Sequence, residues 1–371
     1  MSRKTFILGL SSRLKDSAFF NTKLAYEASG HNTGNFAFHY AIDKHLGGAS
    51  ACGWGESPEV INAMGDIAVM PCANQVGAHA DYGSLGEKFK RLEVGVVAIG
   101  LGAQSGADWK IPEVPEGTLN WIREIAKRSP GGAPNIGVRG EFTKRVLEHY
   151  GLGDSALVTG CPTLFINSTE NLGEIIASRI GEPKKIAVAA GHPRWKHLSK
   201  IEASLAHMVT ATNGSYVGQS PFEMVQLTRG EASVLSAEDL ALARDYACPE
   251  MSIDEFVKWA DIYGNVFFDT EAWMEHYRRF DFVVGCRIHG VMLALQAGVP
   301  GLCIAHDSRT IELCETMMVP YVKASEVSGG ISRDSLMRVF KFDSRAFDEN
   351  RKRLHENYAA FWASNLLSLN R

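Results

Sequence analysis

The chain has 371 residues, of which 45% are hydrophobic and 22% charged, and its formal net charge is -4. Single hydrophobic cores usually stop growing at about 250 residues, so this length predicts two domains of similar size. The composition is that of a globular protein and excludes a largely disordered one. The weakly negative charge offers no basic field to a phosphate backbone, which excludes nucleic acid as a partner.

Neither a targeting segment nor a membrane span is predicted. The apolar run near the start, 6–10, is too short for the core of a signal peptide, and no stretch approaches the roughly 20 apolar residues of a span. The seven cysteines are scattered without CxxC spacing, which argues against a disulfide framework and a zinc site. We therefore expect a cytoplasmic protein, at most peripherally associated with membranes, without a metal site. Its oligomeric state stays open.

Short apolar runs alternate with amphipathic stretches along most of the chain, a pattern typical of βαβ units. In the first half, strands are predicted at 5–10, 67–71, 95–100, 135–138 and 156–159, with helices at 141–150 and from 170. In the second half, strands are predicted at 185–190, 215–219, 266–269, 282–284 and 301–305, with helices around Ile201, Glu238, Asp254 and Trp273. A last helix, 345–370, is long enough to pack back on the first half.

These elements predict two Rossmann-like, doubly wound α/β domains that face each other across a cleft, as in the GT-B architecture. A Gly-Glu-Pro-Lys break at 181–184 predicts the boundary. The first domain would then comprise 1–183 and the second 184–371. Ligands of such sheets bind beyond the carboxyl ends of the strands, so the polar residues at those ends are the candidates for a site.

The segment 281–309 gives the strongest indication of a site. A predicted strand leads to Gly285, where the backbone can approach a ligand, and Arg287, His289 and Gly290 follow at the start of an apolar helix. The free amides of a helix N-terminus bind anions, and an Arg fork adds two parallel hydrogen bonds. The alternative is that Arg287 and His289 only cap the helix and form ion pairs.

The order of residues in this segment resembles that of the polysaccharide pyruvyl transferase family. In that family a Gly-x-Arg-x-His-Gly motif precedes a small apolar helix that ends in Ala-Gly-x-Pro, and a strand and a Ser-Lys-like pair follow. The matching residues here are Gly285, Arg287, His289, Gly290, Ala297, Gly298 and Pro300, followed by Ser308 and Arg309. Arg309 replaces the usual Lys, which keeps the charge but changes the donor geometry.

A second block that resembles the family lies in the first half of the chain. Arg139 precedes an acidic residue and a threonine at a strand-to-helix turn, as the family's arginine does. An ion pair with Glu141 is the alternative explanation for Arg139. Cys161 stands where the family often has Asp. Near the N-terminus, Asn32 and Asn35 fit the family's Gly-x-x-N-x-Gly-Asp loop less closely, and the distance from the first strand implies an insertion.

Two further strand ends supply candidates for substrate binding. His192 and Arg194 follow the predicted strand 185–190, and they could line the cleft. Asn74 and His79 follow the strand 67–71, and their side chains suit sugar hydroxyls. A polar turn would explain each pair almost as well.

The resemblance implies transfer of pyruvate from phosphoenolpyruvate to two hydroxyls of a sugar in a polysaccharide or glycan precursor. The products would be a cyclic ketal and phosphate. Arg139 and Arg287, one from each domain, would hold the donor, and Ser308 and Arg309 would contribute to its site. His289 is the first choice for general acid and base, although it could instead bind the phosphate. No cofactor is obligatory, and the acceptor could be lipid-linked.

Two other classes of protein remain as alternatives. A GT-B nucleotide-sugar glycosyltransferase would share the architecture, but such enzymes often have a ribose-binding Glu at the position of Leu293, and an apolar side chain accepts no hydrogen bond from ribose. An inactive sugar-binding or scaffold protein would be expected to have lost Arg287, His289 or Arg139, and all three are present.

Overall fold

The structure, a computed structural model, describes residues 3–106 and 109–370. In this part of the chain two parallel sheets are formed. The first contains β1 (Thr5–Leu8), β2 (Ala51–Cys52), β3 (Ile67–Pro71), β4 (Gly95–Leu101), β5 (Ile136–Val138) and β6 (Ala156–Val158). The second contains β7 (Ile186–Ala189), β8 (Ser215–Val217), β9 (Gly264–Asn265), β10 (Phe282–Gly285), β11 (Gly301–Ala305) and β12 (Tyr321–Lys323).

Helices connect the strands and cover the sheets. Those of the first half are α1 (Thr22–Ala28), α2 (Asn35–Leu46), α3 (Pro58–Met64), α4 (Leu85–Phe89), α5 (Glu116–Ala126), α6 (Glu141–His149) and α7 (Leu172–Ala177). Those of the second half are α8 (Ser199–Ala211), α9 (Phe222–Thr228), α10 (Ala237–Ala247), α11 (Ile253–Tyr263), α12 (Thr270–Tyr277), α13 (Ile288–Gln296), α14 (Ser308–Met317), α15 (Arg333–Val339) and α16 (Ser344–Ser364). None of the described helices is long and apolar enough to cross a membrane.

The strand order confirms the predicted fold class of two doubly wound α/β domains. The first sheet has the order β2-β1-β3-β4-β5-β6 and the second β12-β11-β10-β7-β8-β9. The second order is that of dinucleotide-binding folds, and the chain reverses direction across the sheet between β7 and β10. The loops at the carboxyl ends of the two sheets contact each other. The backbone N–H of Thr33, in the loop region after β1, donates to the carbonyl of Gln219, which follows β8, at 3.1 Å.

Most predicted strands are present, but one prediction is wrong. The strand expected at 266–269 is not there, and the pairing in this region lies earlier, in β9. Asp269 instead caps α12 by accepting a hydrogen bond from the backbone N–H of Ala272 at 2.9 Å. Phe268 packs into a cluster with Tyr26 and Phe36, so its apolar side chain is buried outside the sheet. The edge strands β2 and β12 were not predicted, because they are too short to show an apolar run.

Helix α16 packs against the first half of the chain. The guanidinium of Arg351 donates to the backbone carbonyls of Leu164, at 3.1 Å, and Thr169, at 2.6 Å, and also to that of Asn167. The predicted domain boundary at 183/184 falls between α7 and β7, and it stays a prediction, since apolar contacts run continuously from α2 through α13 to α16.

Candidate functional site

The reversal of strand order between β7 and β10 creates the crevice in which the second domain's candidate residues lie. In doubly wound sheets, neighbouring strands at such a point lead their loops to opposite sides, which leaves space for a ligand at the carboxyl ends. Arg287 follows β10 and has the extended backbone of the N-cap of α13. Because α13 is almost wholly apolar and buried between the domains, the residues at its start have fixed positions.

Arg287 is held over an aromatic ring. Its guanidinium carbon lies 4.7 Å from the centroid of the Trp195 ring, and its Nη2 donates to Ser220 Oγ at 2.5 Å. Its Nε is buried and has no hydrogen-bond partner among the described residues. Burial, followed by the nearby charge of Arg309, lowers the pKa of Arg287 to about 10. A bound anion would supply the missing partner and reverse this shift.

His289 lies in the first turn of α13 and faces the first domain. Its Nε2 is 3.8 Å from the sulfur of Cys161, and its ring centroid is 5.2 Å from that of Phe38. Burial, and then the charge of Arg139 and the other site arginines, lowers the pKa of His289 well below 6.5. The imidazole is therefore neutral at pH 7 in this structure. The positive charge that dominates the site opposes protonation of the ring.

Arg139 enters the site from the first domain, at the turn between β5 and α6. It is 2% exposed, its Nε donates to the carbonyl of Gly100 at 2.7 Å, and its buried Nη2 has no partner among the described residues. A Cβ atom on Gly102 would lie 2.8 Å from Arg139 Cδ, so glycine is required there for the side chain to pass. Glu141 forms no ion pair with Arg139 in the described part of the chain.

Ser308 and Arg309 begin α14. Of the two side chains, only that of Arg309 has a hydrogen-bond donor without a partner among the described residues. The hydroxyl of Ser308 donates to the carbonyl of Ser105 at 2.8 Å and accepts from its backbone N–H at 3.1 Å, which joins the two domains. Arg309 Nη2 lies 3.0 Å from a carboxylate oxygen of Asp307, and its Nε is buried without a partner among the described residues. Ser308 thus positions α14, and Arg309 can contribute to an anion site.

Three guanidinium groups therefore act electrostatically on one neutral imidazole. The positive charges of Arg139, Arg309 and Arg287 all lower the pKa of His289, and each arginine has a buried nitrogen without a hydrogen-bond partner among the described residues. Like charges brought together under low solvation are costly unless an anion neutralises them. We call Arg139, Arg287, Arg309 and His289 the arginine cluster. Its geometry suits a small ligand with more than one negative charge.

The two glycines of the motif are required by packing. A Cβ atom on Gly285 would lie 2.1 Å from the carbonyl oxygen of Ala189, and one on Gly290 would lie 2.7 Å from the Ala189 side chain. Because neither residue has a side chain, β10 and α13 can approach β7 closely. This is a different reason for glycine from the close approach to a ligand that the sequence suggested.

The candidates in the second domain's first loop lie beside the cluster. Burial, and then the charges of Arg287 and Arg194, lowers the pKa of His192 to about 4. The Nδ1 atom of His192 accepts a hydrogen bond from the backbone N–H of Arg194 at 3.2 Å, and its ring centroid is 5.5 Å from that of Trp195. The Arg194 side chain points to solvent. His192 thus contacts the site, and Arg194 lies at its edge.

The candidates of the first domain mainly shape its loops. Asn74 donates its amide to the Gln104 side chain, and its backbone carbonyl contacts the exposed His79 ring at 2.8 Å. Asn32 accepts from the N–H of Gly34 at 3.0 Å, and the Asn35 amide donates to the carbonyls of residues 29 and 30. These side chains order the loops near the cleft, and none of them contacts the arginine cluster directly.

Several residues of the site were missed by sequence reasoning. Trp195 contacts both Arg287 and His306, and its ring centroid is 4.3 Å from that of His306. The buried carboxylate of Glu202 fixes the loop after β7 by accepting from the N–H of Gly191 at 2.9 Å and from the hydroxyl of Tyr216 at 2.7 Å. Trp195 could have been found from its place after the first strand of the second domain. Glu202 gives no such signal, because it lies within a helix.

Two open surface cavities, of about 670 and 810 Å³, lie away from the arginine cluster. The smaller is lined by the residues that precede or begin β3 and β4, including Asp66 and Gly95. It therefore lies at the amino ends of the first sheet's strands, where doubly wound folds do not bind substrates. Within 3–106 and 109–370, no group of three or more His, Cys, Asp or Glu side chains is arranged to hold a metal ion.

Solved structures to which the chain is similar include UDP-N-acetylglucosamine 2-epimerases. The enzyme from Rickettsia bellii is 12% identical, with 97% of this chain and 96% of that chain covered and a TM-score of 0.45. That from Methanocaldococcus jannaschii, in complex with UDP-GlcNAc and UDP, is 10% identical, with 95% and 98% covered and a TM-score of 0.43. The S. aureus MnaA-UDP structure is 11% identical, with 99% and 92% covered and a TM-score of 0.44. No curated protein matches the chain.

A family model described as polysaccharide pyruvyl transferase matches residues 32–308. The match covers more than half of the chain, and it includes both blocks on which the resemblance was based, from Arg139 to Ser308. It thus spans the turn that supplies the first domain's arginine and the helix start that supplies Arg287 and His289. The chain belongs to the polysaccharide pyruvyl transferase family and is a transferase.

Proposed function

We propose that this enzyme transfers the pyruvate of phosphoenolpyruvate to two hydroxyls of a sugar, with formation of a ketal and release of phosphate. The observation that carries the proposal is the arginine cluster, in which three guanidinium groups have unpartnered buried nitrogens around a neutral imidazole. Phosphoenolpyruvate carries a carboxylate and a phosphate a few ångströms apart, so it needs more than one cationic fork. The cluster supplies forks from both domains.

The reaction divides into an addition and a displacement. A sugar hydroxyl attacks carbon 2 of phosphoenolpyruvate and loses its proton, while carbon 3 gains a proton and becomes a methyl group. A second hydroxyl then replaces phosphate at carbon 2 and loses its proton, which closes the ketal. Arg139, Arg287 and Arg309 would stabilise the phosphate as it leaves. No cofactor is needed for this balance, and no metal is assigned to it.

His289 is the group proposed to move the protons. A bound anion would raise the pKa of the ring, because opposite charge favours the protonated form. The protonated ring would then give its proton to carbon 3 as a general acid, and the neutral imidazole that results would accept the proton of a sugar hydroxyl as a general base. A His289 that served only as a phosphate ligand would take up a proton in the same way, but would exchange none with the substrate.

The acceptor is proposed to be a sugar of a polysaccharide or glycan precursor, made in the cytoplasm and in some cases lipid-linked. The nucleotide-sugar glycosyltransferase is the less favoured candidate. Leu293, at the position where such enzymes often bind ribose, is fully buried in the apolar packing of α13. A ribose hydroxyl would find no acceptor there. The arginine cluster is also intact, which does not favour an inactive binding protein.

Donor binding tests the proposal without knowledge of the acceptor. Isothermal calorimetry should detect phosphoenolpyruvate binding to the wild-type protein, and the Arg287→Ala variant should lose it, since each charged hydrogen bond contributes about 1.5–3 kcal/mol. Arg353→Ala, on the exposed side of α16, is the matched control and should bind normally. Release of phosphate with a panel of sugar acceptors then tests transfer. Binding of a uridine diphosphate but not of phosphoenolpyruvate would overturn the proposal in favour of a glycosyltransferase.

A further inference from the structure

The segment 11–24, which follows β1 and includes the first turn of α1, has three exposed large apolar side chains. Phe19 is 87% exposed, Leu24 52% and Phe20 37%. These residues precede the part of the chain that the family model matches, 32–308. A group of exposed apolar side chains on a globular protein usually marks an interaction surface. We call Phe19, Phe20 and Leu24 the apolar patch.

The patch is presented on a fixed support. Arg229, after α9 of the second domain, donates from Nη1 to Thr22 Oγ1 and from Nη2 to the carbonyl of Ser17, both at 2.9 Å. Thr22 in turn donates to Glu231 Oε1 at 2.5 Å. On the inner side of the segment, Tyr26 is buried in a cluster with residues of both domains. The outward direction of the phenylalanines is thus set by contacts with the second domain.

Cations accompany the patch. Arg13, Lys15 and Lys23 are all exposed within 11–24, where Asp16 is the only acidic residue, and the exposed Glu27 lies one turn after Lys23 on α1. The segment 11–27 thus has a formal charge of +1, whereas the whole chain has a net charge of -4. None of the ion pairs between described residues involves these three cations. The combination of aromatic and aliphatic side chains with nearby free cations is typical of surfaces that bind anionic membranes.

We propose that the apolar patch docks this protein on a bilayer that contains acidic phospholipids. Phe19, Phe20 and Leu24 would enter the boundary between headgroups and acyl chains, and Lys15 and Lys23 would contact lipid phosphates. A second copy of the chain is a poorer occupant. In a two-fold symmetric dimer each patch would meet its own copy, which would place the same cations against each other.

Docking at the apolar patch would bring the arginine cluster close to the membrane. Helix α1 leads from the patch to Tyr26, whose ring centroid is 5.5 Å from that of Phe222. Phe222 follows Ser220, the residue that accepts the hydrogen bond from Arg287. A membrane-bound acceptor could therefore reach the arginine cluster from the bilayer on which the patch rests. The docking itself does not depend on the proposed reaction.

Vesicle sedimentation with the full chain tests the proposal. Wild-type protein should bind vesicles of phosphatidylcholine and phosphatidylglycerol, and it should bind pure phosphatidylcholine much more weakly. The double variant Phe19→Ser/Leu24→Ser should lose at least about tenfold in binding, because both side chains leave the bilayer. Val60→Ser, which alters a 46% exposed side chain on α3 of the first domain, is the matched control and should bind as wild type.

The charged residues give an independent measurement. Lys15→Glu/Lys23→Glu should weaken binding to the anionic vesicles by at least about 25-fold, roughly fivefold for each cation lost. Circular dichroism should show that both double variants are folded, since all four side chains are exposed. The proposal is overturned if wild type binds neither kind of vesicle, or if Phe19→Ser/Leu24→Ser binds as wild type does. It is also overturned if that variant abolishes a dimer that forms without lipid.

Discussion

Trp195 is the aromatic residue on which the main cationic group of the site rests. The centroid of its ring lies 4.7 Å from the Arg287 guanidinium carbon and 4.3 Å from the centroid of the His306 ring. A cation–π contact that is shielded from water contributes about 2 kcal/mol, and it also fixes the direction of the guanidinium fork. Trp195 is therefore expected to act as a positioning residue for Arg287.

Replacing this ring should weaken donor binding without abolishing it. Trp195→Ala is expected to raise the dissociation constant of phosphoenolpyruvate about 5- to 30-fold, whereas Trp195→Phe, which keeps an aromatic face, should lose much less. Calorimetry measures both constants, and thermal unfolding monitors the fold. Equal losses in the two variants would show that the ring acts only by filling space.

His289 should take up a proton when the donor binds. Its pKa is held well below 6.5 by burial and by three arginines, and a multiply charged anion would raise that pKa. At about pH 6 the wild-type protein should therefore take up more protons on binding the donor than His289→Asn does. The two proteins must be compared because the donor phosphate itself ionises near pH 6 and is driven to its dianion by the arginines. Calorimetry in buffers of different ionisation enthalpy measures the number of protons exchanged. Equal numbers for the two proteins would assign any uptake to another group.

The resemblance to the family predicted Arg139, Arg287 and His289 as one site, and the need of an anion for cationic groups at strand ends agrees with it. The sequence could not show that the Ser308 hydroxyl forms its hydrogen bonds with the backbone of Ser105 and is therefore not free to bind a ligand. Nor could it show that the histidine is neutral. Both depend on groups that are distant in the sequence and meet only when the two domains pack.

At the scale of elements, helix α16 depends on one buried arginine. Arg351 donates to three backbone carbonyls of the segment 164–169, which follows the first sheet. Arg351→Ala would leave these carbonyls without partners, at a cost of about 1–3 kcal/mol for each buried group. We expect the free energy of unfolding to fall by about 3–5 kcal/mol.

Urea denaturation of the two neighbouring variants checks this expectation. Arg353 lies two residues further along α16 on the exposed side, so Arg353→Ala should change the free energy of unfolding by no more than about 0.5 kcal/mol. Similar values for Arg351→Ala and Arg353→Ala would contradict the role assigned to the buried guanidinium.

Element types were predictable where the local pattern and the packing agree. The strands β3 and β11 lie where they were predicted, at 67–71 and 301–305, because continuous apolar runs suit the centre of a parallel sheet. The segment 266–269 has the same kind of run, but Val266 and Phe268 pack with residues of α1 and α2, and Phe267 stacks on Trp273 of α12. Hydrophobicity alone does not distinguish burial in a sheet from burial against helices.

Over the whole molecule, buried histidines should make stability depend on pH. His45 contacts the Tyr358 hydroxyl at 3.1 Å and the Phe165 carbonyl at 3.2 Å, and burial lowers its pKa to about 4. Between about pH 6.5 and pH 4 the unfolded chain binds a proton at this residue and the folded chain does not. The contribution of His45 is therefore present above pH 6.5 and is lost as the pH falls through this window.

The variant His45→Gln should lack this dependence. Its deficit in free energy of unfolding relative to wild type should be about 2 kcal/mol smaller at pH 5 than at pH 7. The comparison of two proteins is needed because other buried groups also make stability depend on pH. Burial raises the pKa of Glu202 and Glu312, so these carboxyl groups favour the folded state as the pH falls, which is opposite to the effect of His45. Urea denaturation at both pH values measures the deficit. The exposed His79→Gln variant should show no such change, and a constant deficit for His45→Gln would contradict the prediction.

The sequence by itself predicted the doubly wound fold class and the family, and both are confirmed; it also predicted Arg139, Arg287 and His289 as the central residues of the site. The fold class follows from apolar periodicity, and the family and the residues follow from a resemblance in short motifs, which are local properties of the chain. Only the tertiary structure decided the surroundings of the residues of 281–309. Arg287 lies on Trp195 and His289 is neutral among three arginines because side chains from both domains share one poorly hydrated space. Electrostatic interaction depends on distance and solvation, and neither is written in sequence order.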